Sequence, residues 1–396
     1  MKGKPVTRSA QKLNFNHYDK EYMQDVFPTL SELRHRGTIE WTDALGGFWI
    51  ATKMEHVRAI ALNTDVFSSR YNGIPKDLGL GDAVMPPIQL DPPDHTRMKK
   101  LLMPSFTQAG AEALREYTRT TVVGLLDNLL AKGDIFDVAE DFARFVPTAV
   151  ICKLLDFHDL EKFINWVRRV PEHAADDPAD AAAAGAEMFA YIYEVIQERR
   201  GGSGDDLISK LLATEVDGEK LDDMEVAFCA ILMFLAGIDT TWATINASLL
   251  YLAQHPDQQQ HLRENPDAID LAREEFLRAY APVSPGRLVT TDVNVGGAEL
   301  KKGDMVLMSY PSANRDEAEF ENAGEVVLDR SPNRHLAFGV GVHRCIGVHI
   351  ARMELDITLR EFLKIVPRFT LVAPDRVEWN VGQARRPSNI VIKVHK

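Results

Sequence analysis

Apolar positions recur along this chain with two different periods. From Gln108 to about Gln254 they return every three or four residues, as in Leu114 to Leu130 and Ala181 to Glu198, which predicts helices. Ahead of that stretch Gly37 to Trp41 and Phe48 to Thr52 carry strand patterns, and Met54 to Leu62 reads as a short helix. Strand signals return at Leu288 to Val295, where Gly296-Gly297 supplies a turn, then at Met305 to Ser309, Phe369 to Val372 and Ile390 to Val394. A run of helices with strands grouped at the two ends predicts an α+β, predominantly α-helical fold. One helix stands out, from about Asp223 to Gln254, because Val226 to Ile238 is apolar on every face and must be buried. Its 32 residues, at about 1.5 Å of rise each, span roughly 48 Å, enough to traverse a molecule of this size. The nearest thing to a linker, Arg199 to Asp206, is short and flanked by helical patterns, so residues 1–396 are expected to form a single domain. No repeat of fixed period is present.

Composition narrows the function classes. The chain has 396 residues, 45% of them hydrophobic and 26% charged, which is ordinary for a globular protein. A net charge of −13 argues against nucleic acid as the main partner, because phosphate binding needs clustered cations. The segment Met1 to Arg8 has no apolar run behind its positive charges, and Ala227 to Ile238 is shorter than the roughly 20 residues a membrane span needs. A cytoplasmic protein without a membrane anchor is expected. The three cysteines, Cys152, Cys229 and Cys345, are too far apart and odd in number for a disulfide framework. Cys152 and Cys229 lie in apolar helical runs and read as buried small hydrophobes. Cys345 keeps different company.

It sits in Phe338-Gly339-Val340-Gly341-Val342-His343-Arg344-Cys345-Ile346-Gly347. The glycines let backbone approach something flat, and the cysteine falls where a helical pattern through Ala351, Leu355 and Leu359 begins. A thiolate near a helix N-terminus is stabilised by the dipole and by unpaired N–H groups. A turn with an incidental cysteine would explain the glycines but not all ten positions. The segment resembles the haem-binding loop of cytochrome P450, F-G-x-G-x-H-x-C-x-G, at every defined position. The resemblance implies Cys345 as axial ligand of a haem b (iron protoporphyrin IX), with Phe338, Gly339 and Gly347 against the cofactor. It also implies the family's fold, with a long central helix over the haem and small β-sheets at the periphery.

Three further motifs run in the family's order. In Glu275-Phe276-Leu277-Arg278, the acid and the cation share a helix face. Asn265 reads as the N-cap of that helix, with Pro266 at its first position, and Pro282 ends it. Alone an E-x-x-R is an everyday surface pair; beside the Cys345 loop it resembles the family's buried Glu–Arg pair. A third basic residue completes that structure, Arg330 first and His335 second. In Ala236-Gly237-Ile238-Asp239-Thr240-Thr241, a glycine, an acid and an alcohol interrupt the buried helix. A Thr bonded back to the preceding turn is the ordinary reading. The segment resembles the family's oxygen-activation site, where the glycine loosens the helix. That resemblance places Ala236 against the haem and implies that Thr240 hydrogen-bonds dioxygen while Asp239 relays protons to it. In Asp91-Pro92-Pro93-Asp94-His95-Thr96-Arg97-Met98-Lys99-Lys100, a helix start puts His95 and Lys99 on one face. A solvated basic face is the plain alternative; the family uses this segment on the haem propionates. Where the family commonly has Arg this chain has Lys99, a point charge and not a planar fork. Arg287 and His343 match the other propionate donors.

The resemblance extends as far as Gln383-Ala384-Arg385-Arg386-Pro387, which is similar to the C-terminal loop that dips into the family's pocket. It implies a monomeric monooxygenase that inserts one atom of O2 into a hydrophobic small molecule. No complete G-x-G-x-x-G is present, so electrons from NAD(P)H are expected through separate proteins, and the resemblance implies an iron–sulfur ferredoxin and a flavin ferredoxin reductase. A peroxide-driven enzyme and a haem-based sensor are the rivals, and Asp239-Thr240 weighs against both. Val84, Met85, Leu232, Leu235, Val283, Gln383 and Ala384 are the implied pocket, each equally explicable as core packing. Whether Arg70 or Arg385 anchors an acidic group stays open.

Overall fold

A computed structural model describes residues 13–76, 84–216, 218–380 and 384–395. Their packing separates into two compact units interleaved along the chain, one of Met1–Met98, Leu277–Val326 and Arg334–Cys345, the other of Lys99–Phe276, Val327–Asn333 and Ile346–Lys396. Each unit draws on three separate stretches, so no linker divides them and none is visible in the sequence.

The first unit is built on a five-stranded sheet in the order Glu40–Thr42, Phe48–Ala51, Met305–Met308, Gly286–Val289, Phe67–Ser68. Phe48–Ala51 is buried at all four positions, as a strand covered on both faces must be. Its parallel neighbour Met305–Met308 is buried throughout as well. Helix Met54–Leu62 follows, with the bounds its periodicity predicts. The strand expected at Gly37 to Trp41 begins only at Glu40, because Gly37 closes helix Phe27–Arg36 as its left-handed C-cap. The single strand expected over Leu288 to Val295 is two. Gly286–Val289 ends where Thr290 turns back, its hydroxyl donating to the carbonyls of Asp65 and Val66, and Val293–Val295 forms a separate hairpin with Ala298–Leu300.

The second unit is mostly helix. Its spine is Asp223–Gln254, opened by a reciprocal cap in which Asp222 accepts from the Glu225 N–H while the Glu225 carboxylate accepts from the Asp222 N–H. This helix is long and apolar enough to cross a membrane by length and composition, but 67% of its most apolar window is buried. Helices Phe145–Leu155, Pro178–Arg199 and Val348–Ile365 and strand Arg386–Ser388 pack against it. Gly237 permits one of those approaches: a Cβ there would lie 2.5 Å from the Ile151 side chain. The helix therefore runs unbroken through Ala236 to Thr241, and the glycine acts as a packing notch where a loosened turn was expected. Asn265 stands at the N-cap position, with Pro266 after it, of a 3₁₀ turn and not of the helix that carries Glu275, and its side chain makes no cap bond among the described residues. Its side chain donates back to the His261 carbonyl, and a short 3₁₀ turn, Pro266–Ala268, precedes helix Ile269–Ala279.

Candidate functional site

In the first unit the Cys345 loop is shaped by two glycines in left-handed conformations, Gly339 at φ +67° and Gly341 at φ +79°. A side chain at either would crowd its neighbour, with a Cβ 3.0 Å from the Tyr310 hydroxyl in one case and 3.0 Å from the Ala61 carbonyl in the other. The Cys345 N–H donates to the Phe338 carbonyl at 2.8 Å, closing the loop on itself. Helix Val348–Ile365 starts just beyond, with Gly347 as its N-cap. Cys345 thus precedes the helix and is not its first residue. The other two cysteines are buried, and burial pushes each thiol up to about 12. Cys345 alone among the three is exposed.

Around that loop the first unit gathers three of the four expected propionate donors. His95 is buried and its ring packs against that of His343, with centroids 4.1 Å apart. His343 Nε2 meets Ser69 Oγ at 2.9 Å. Ser69 is held in turn by its N–H donating to Asp91 Oδ1 at 2.8 Å, while Ser68 donates to the other Asp91 oxygen. Arg287 is 5% exposed, and its Nη1 donates to the Gly286 carbonyl. Burial lowers its pKa, against the opposing charges of Tyr310 and Asp91. A guanidinium this deep calls for an anion to offset its desolvation. Lys99, one turn after His95 on helix Asp94–Leu102, is half-buried. Bare glycine backbone, an exposed thiol and a buried cation fit a flat, metal-bearing group with carboxylates at its edge.

In the second unit the central helix carries an opening. Residues Val226 to Phe234 are almost all buried, yet Leu235, Gly237, Asp239 and Thr240 are half-buried and Ala236 is exposed. Ala236, Asp239 and Thr240 lie three and four residues apart, so one face of an otherwise enclosed helix is bare there. Thr240 Oγ1 donates to the Ala236 carbonyl at 2.8 Å, the ordinary i−4 bond. Asp239 Oδ1 accepts from Arg386 Nη1 at 2.7 Å. Arg386, read from the sequence only as part of a loop, is a member of strand Arg386–Ser388, and its guanidinium lies 3.3 Å from the Trp242 ring centroid.

Glu275 is fully buried in the same unit. Its carboxylate accepts from the Val327 N–H at 2.7 Å, from Arg330 Nε at 3.0 Å and from Asn333 Nδ2 at 3.0 Å. Arg330, the first of the two cations considered, is the one bound there. His335 instead accepts from the Ala337 N–H in its own turn. Arg278, buried in the first unit, donates to the carbonyls of Asn314, Ala323 and Glu325. Of the implied pocket residues, Leu232 and Ala384 are buried, and Val84, Met85, Leu235 and Val283 are half-buried. Gln383 lies outside the described residues. Arg385 stacks on Trp379 at 3.6 Å and Arg70 sits 5.4 Å from the Tyr71 ring.

Sequence reading did not single out Glu354, one turn before Thr358 on helix Val348–Ile365. It is completely buried, which pushes its carboxyl up to about 8 against the hydrogen bond from Thr241. Among the described residues neither Glu354 Oε1 nor Thr358 Oγ1 has a hydrogen-bond partner.

Comparison with known proteins agrees with this geometry. The family model described as Cytochrome P450 matches residues 48–381. The chain is 32% identical over 377 residues to the steroid C26-monooxygenase of Mycolicibacterium smegmatis, covering 88% of this chain and 86% of that one. It is 31% identical over 389 residues to the polyketide biosynthesis cytochrome P450 PksS of Bacillus subtilis, covering 93% and 95%. The solved structure of the Bacillus subtilis PksS enzyme superposes with a TM-score of 0.88 over 96% of this chain and all of its own, at 31% identity.

Proposed function

The chain belongs to the cytochrome P450 family, and from that premise we propose how its own residues serve a haem-thiolate monooxygenase. It is an oxidoreductase of the monooxygenase class, and the family's cofactor is protoporphyrin IX haem iron. When bound, that haem supplies the activation of O2, and a thiolate ligand favours O–O cleavage.

Cys345 is the ligand in this reading. The observation that carries it is the contrast among the three cysteines, two buried as neutral thiols and one exposed at the end of a glycine-turned loop. His95, His343 and Arg287, with Lys99 as the fourth donor, hold the propionates. Arg287 contributes most, since an anion relieves the desolvation of its guanidinium. Asp239 and Thr240, on the bare face of the central helix, handle protons. Glu275 with Arg330 and Asn333 is structural.

The substrate is a hydrophobic small molecule. Relatives named for a steroid, for polyketide biosynthesis and for mycinamicin IV support that class. Electrons come from NAD(P)H through a ferredoxin and its flavin reductase, and the enzyme works in the cytoplasm. The experiment is turnover of a ligand that gives a spectral shift, with NADH, reductase and a surrogate ferredoxin, compared with peroxide alone. NADH-driven product formation is expected, and activity with peroxide only would overturn the electron route. Lys100 and Arg344 are exposed cations on a protein of net charge −13, suited to steering an acidic ferredoxin. Lys100→Glu and Arg344→Glu should slow reduction through the association rate. Salt should do the same, because the Debye length falls from about 10 Å at 0.1 M to about 3 Å at 1 M. Reduction rates indifferent to both would rule out that docking charge.

A further inference from the structure

The ion pair between Arg386 and Asp239 joins parts of the chain that no motif connects. Strand Arg386–Ser388 pairs with Glu378–Asn380, and Asn246, fully buried on the central helix, donates Nδ2 to the Pro387 carbonyl at 2.8 Å. That bond fastens the strand to the helix two turns beyond Asp239. Arg386 then reaches back along the helix. Its guanidinium stacks on Trp242, itself fixed by an Nε1–H bond to the Ala139 carbonyl at 3.1 Å, and donates to Asp239. Trp242 and Asp239 are three residues apart on one helix face, so ring and carboxylate hold a single planar cation from two sides.

Burial gives the pair its consequence. The Arg386 side chain is 3% exposed and that of Asp239 is 14% exposed. A cation so enclosed is costly without an anion, so Arg386 favours the charged form of Asp239, and its stacking on Trp242 fixes the carboxylate's direction. We propose that Arg386 is the positioning residue for Asp239, setting the charge and orientation with which that carboxylate handles protons. The proposal rests on the reading of Asp239 as the proton-handling acid.

The test separates positioning from gluing. Arg386→Met keeps much of the packing and removes the charge; Asn246→Ala loosens the same strand without touching Asp239. Arg386→Met should lower coupled product formation about tenfold, in the same direction as Asp239→Asn but short of the hundredfold or more expected when the directly acting group itself is neutralised. Both should show an increased solvent hydrogen-isotope effect with ligand affinity unchanged. Arg386→Lys should recover most of the loss. The double variant Asp239→Asn/Arg386→Met should be no slower than Asp239→Asn, and the losses of urea midpoint in that cycle should be non-additive. Asn246→Ala should lower the midpoint and keep the parent's isotope effect. If Arg386→Met does not fold, Arg386→Gln, neutral but still a donor, should carry the raised isotope effect. A parent-like isotope effect in the neutral Arg386 variants beside an impaired Asp239→Asn would overturn the role of Arg386 alone. A parent-like Asp239→Asn would overturn the reading of Asp239 and this proposal with it.

Discussion

Two acid–arginine pairs in the second unit look alike on paper and differ in what surrounds them. Glu275 is 0% exposed and accepts from a backbone N–H, an amide and Arg330, whose side chain is 8% exposed. Asp239 accepts from Arg386 beside a bare stretch of helix, its own side chain 14% exposed. A carboxylate saturated by fixed donors on every side has nothing left to react with, and its worth is stability. One held on a partly open face keeps its charge and an approach. In the proposed reading the same pairing of charges serves structure in one place and chemistry in the other, and the difference lies in access.

The largest effect should come from breaking the closed pair. Glu275→Ala leaves the Arg330 guanidinium and the Val327 N–H buried without their acceptor, a loss of about 3–5 kcal/mol. Little soluble, haem-loaded protein is expected on expression, and a variant that folds and loads like the parent would make the cluster dispensable. Glu354 sharpens the contrast, as a buried carboxyl that desolvation raises against a single opposing hydrogen bond from Thr241. Its carboxyl is raised from 4.5 to about 8, so between those values the folded state binds a proton that the unfolded state has released. Its contribution is therefore full below about pH 4.5 and is lost as pH climbs towards 8, by a few kcal/mol at most. Glu354→Gln should be more stable than the parent at pH 8 and should flatten the pH dependence of urea unfolding between pH 5 and 8. An unchanged slope would mean that Glu354 is not held neutral. The smallest change in stability belongs to the open face. Thr240→Ala removes a hydroxyl bonded only within its own helix turn, and its unfolding midpoint should move by less than about 1 kcal/mol. NADH-derived electrons should nonetheless be diverted from product to hydrogen peroxide, measured as the product-to-NADH ratio. Normal coupling in that variant would remove Thr240 from the chemistry.

The comparison also marks what sequence could reveal. Helices Met54–Leu62 and Asp223–Gln254 have the bounds their periodicity predicts, because local pattern agrees with burial at both and the Asp222 cap marks the start of the second. The Cys345 loop was legible because its six defining residues fall within ten contiguous positions. The strand expected at Leu288 to Val295 was misjudged because Thr290 is tied to Asp65 and Val66, a tertiary bond that interrupts a good local pattern. Asn265 reads as starting the helix directly, whereas it precedes a 3₁₀ turn, Pro266–Ala268, that local pattern does not separate from helix Ile269–Ala279. Arg386 was legible only as part of the C-terminal loop, since its partner Asp239 lies far back in the chain and no local pattern names it. Glu354 was hidden in another way. A glutamate in a helical run is ordinarily solvated, and only the packing of helix Val348–Ile365 against the central helix shows that this one is buried.

All of these assignments depend on which atom holds the iron. The most direct measurement is the absorption spectrum of the reduced, carbon monoxide-bound protein for the parent and for Cys345→Ser. The parent should give the red-shifted Soret band of a thiolate-ligated haem, and the variant should bind haem more weakly and lack that band. A Cys345→Ser protein that keeps the red-shifted band would contradict the assignment of Cys345 and the reading of the loop built around it.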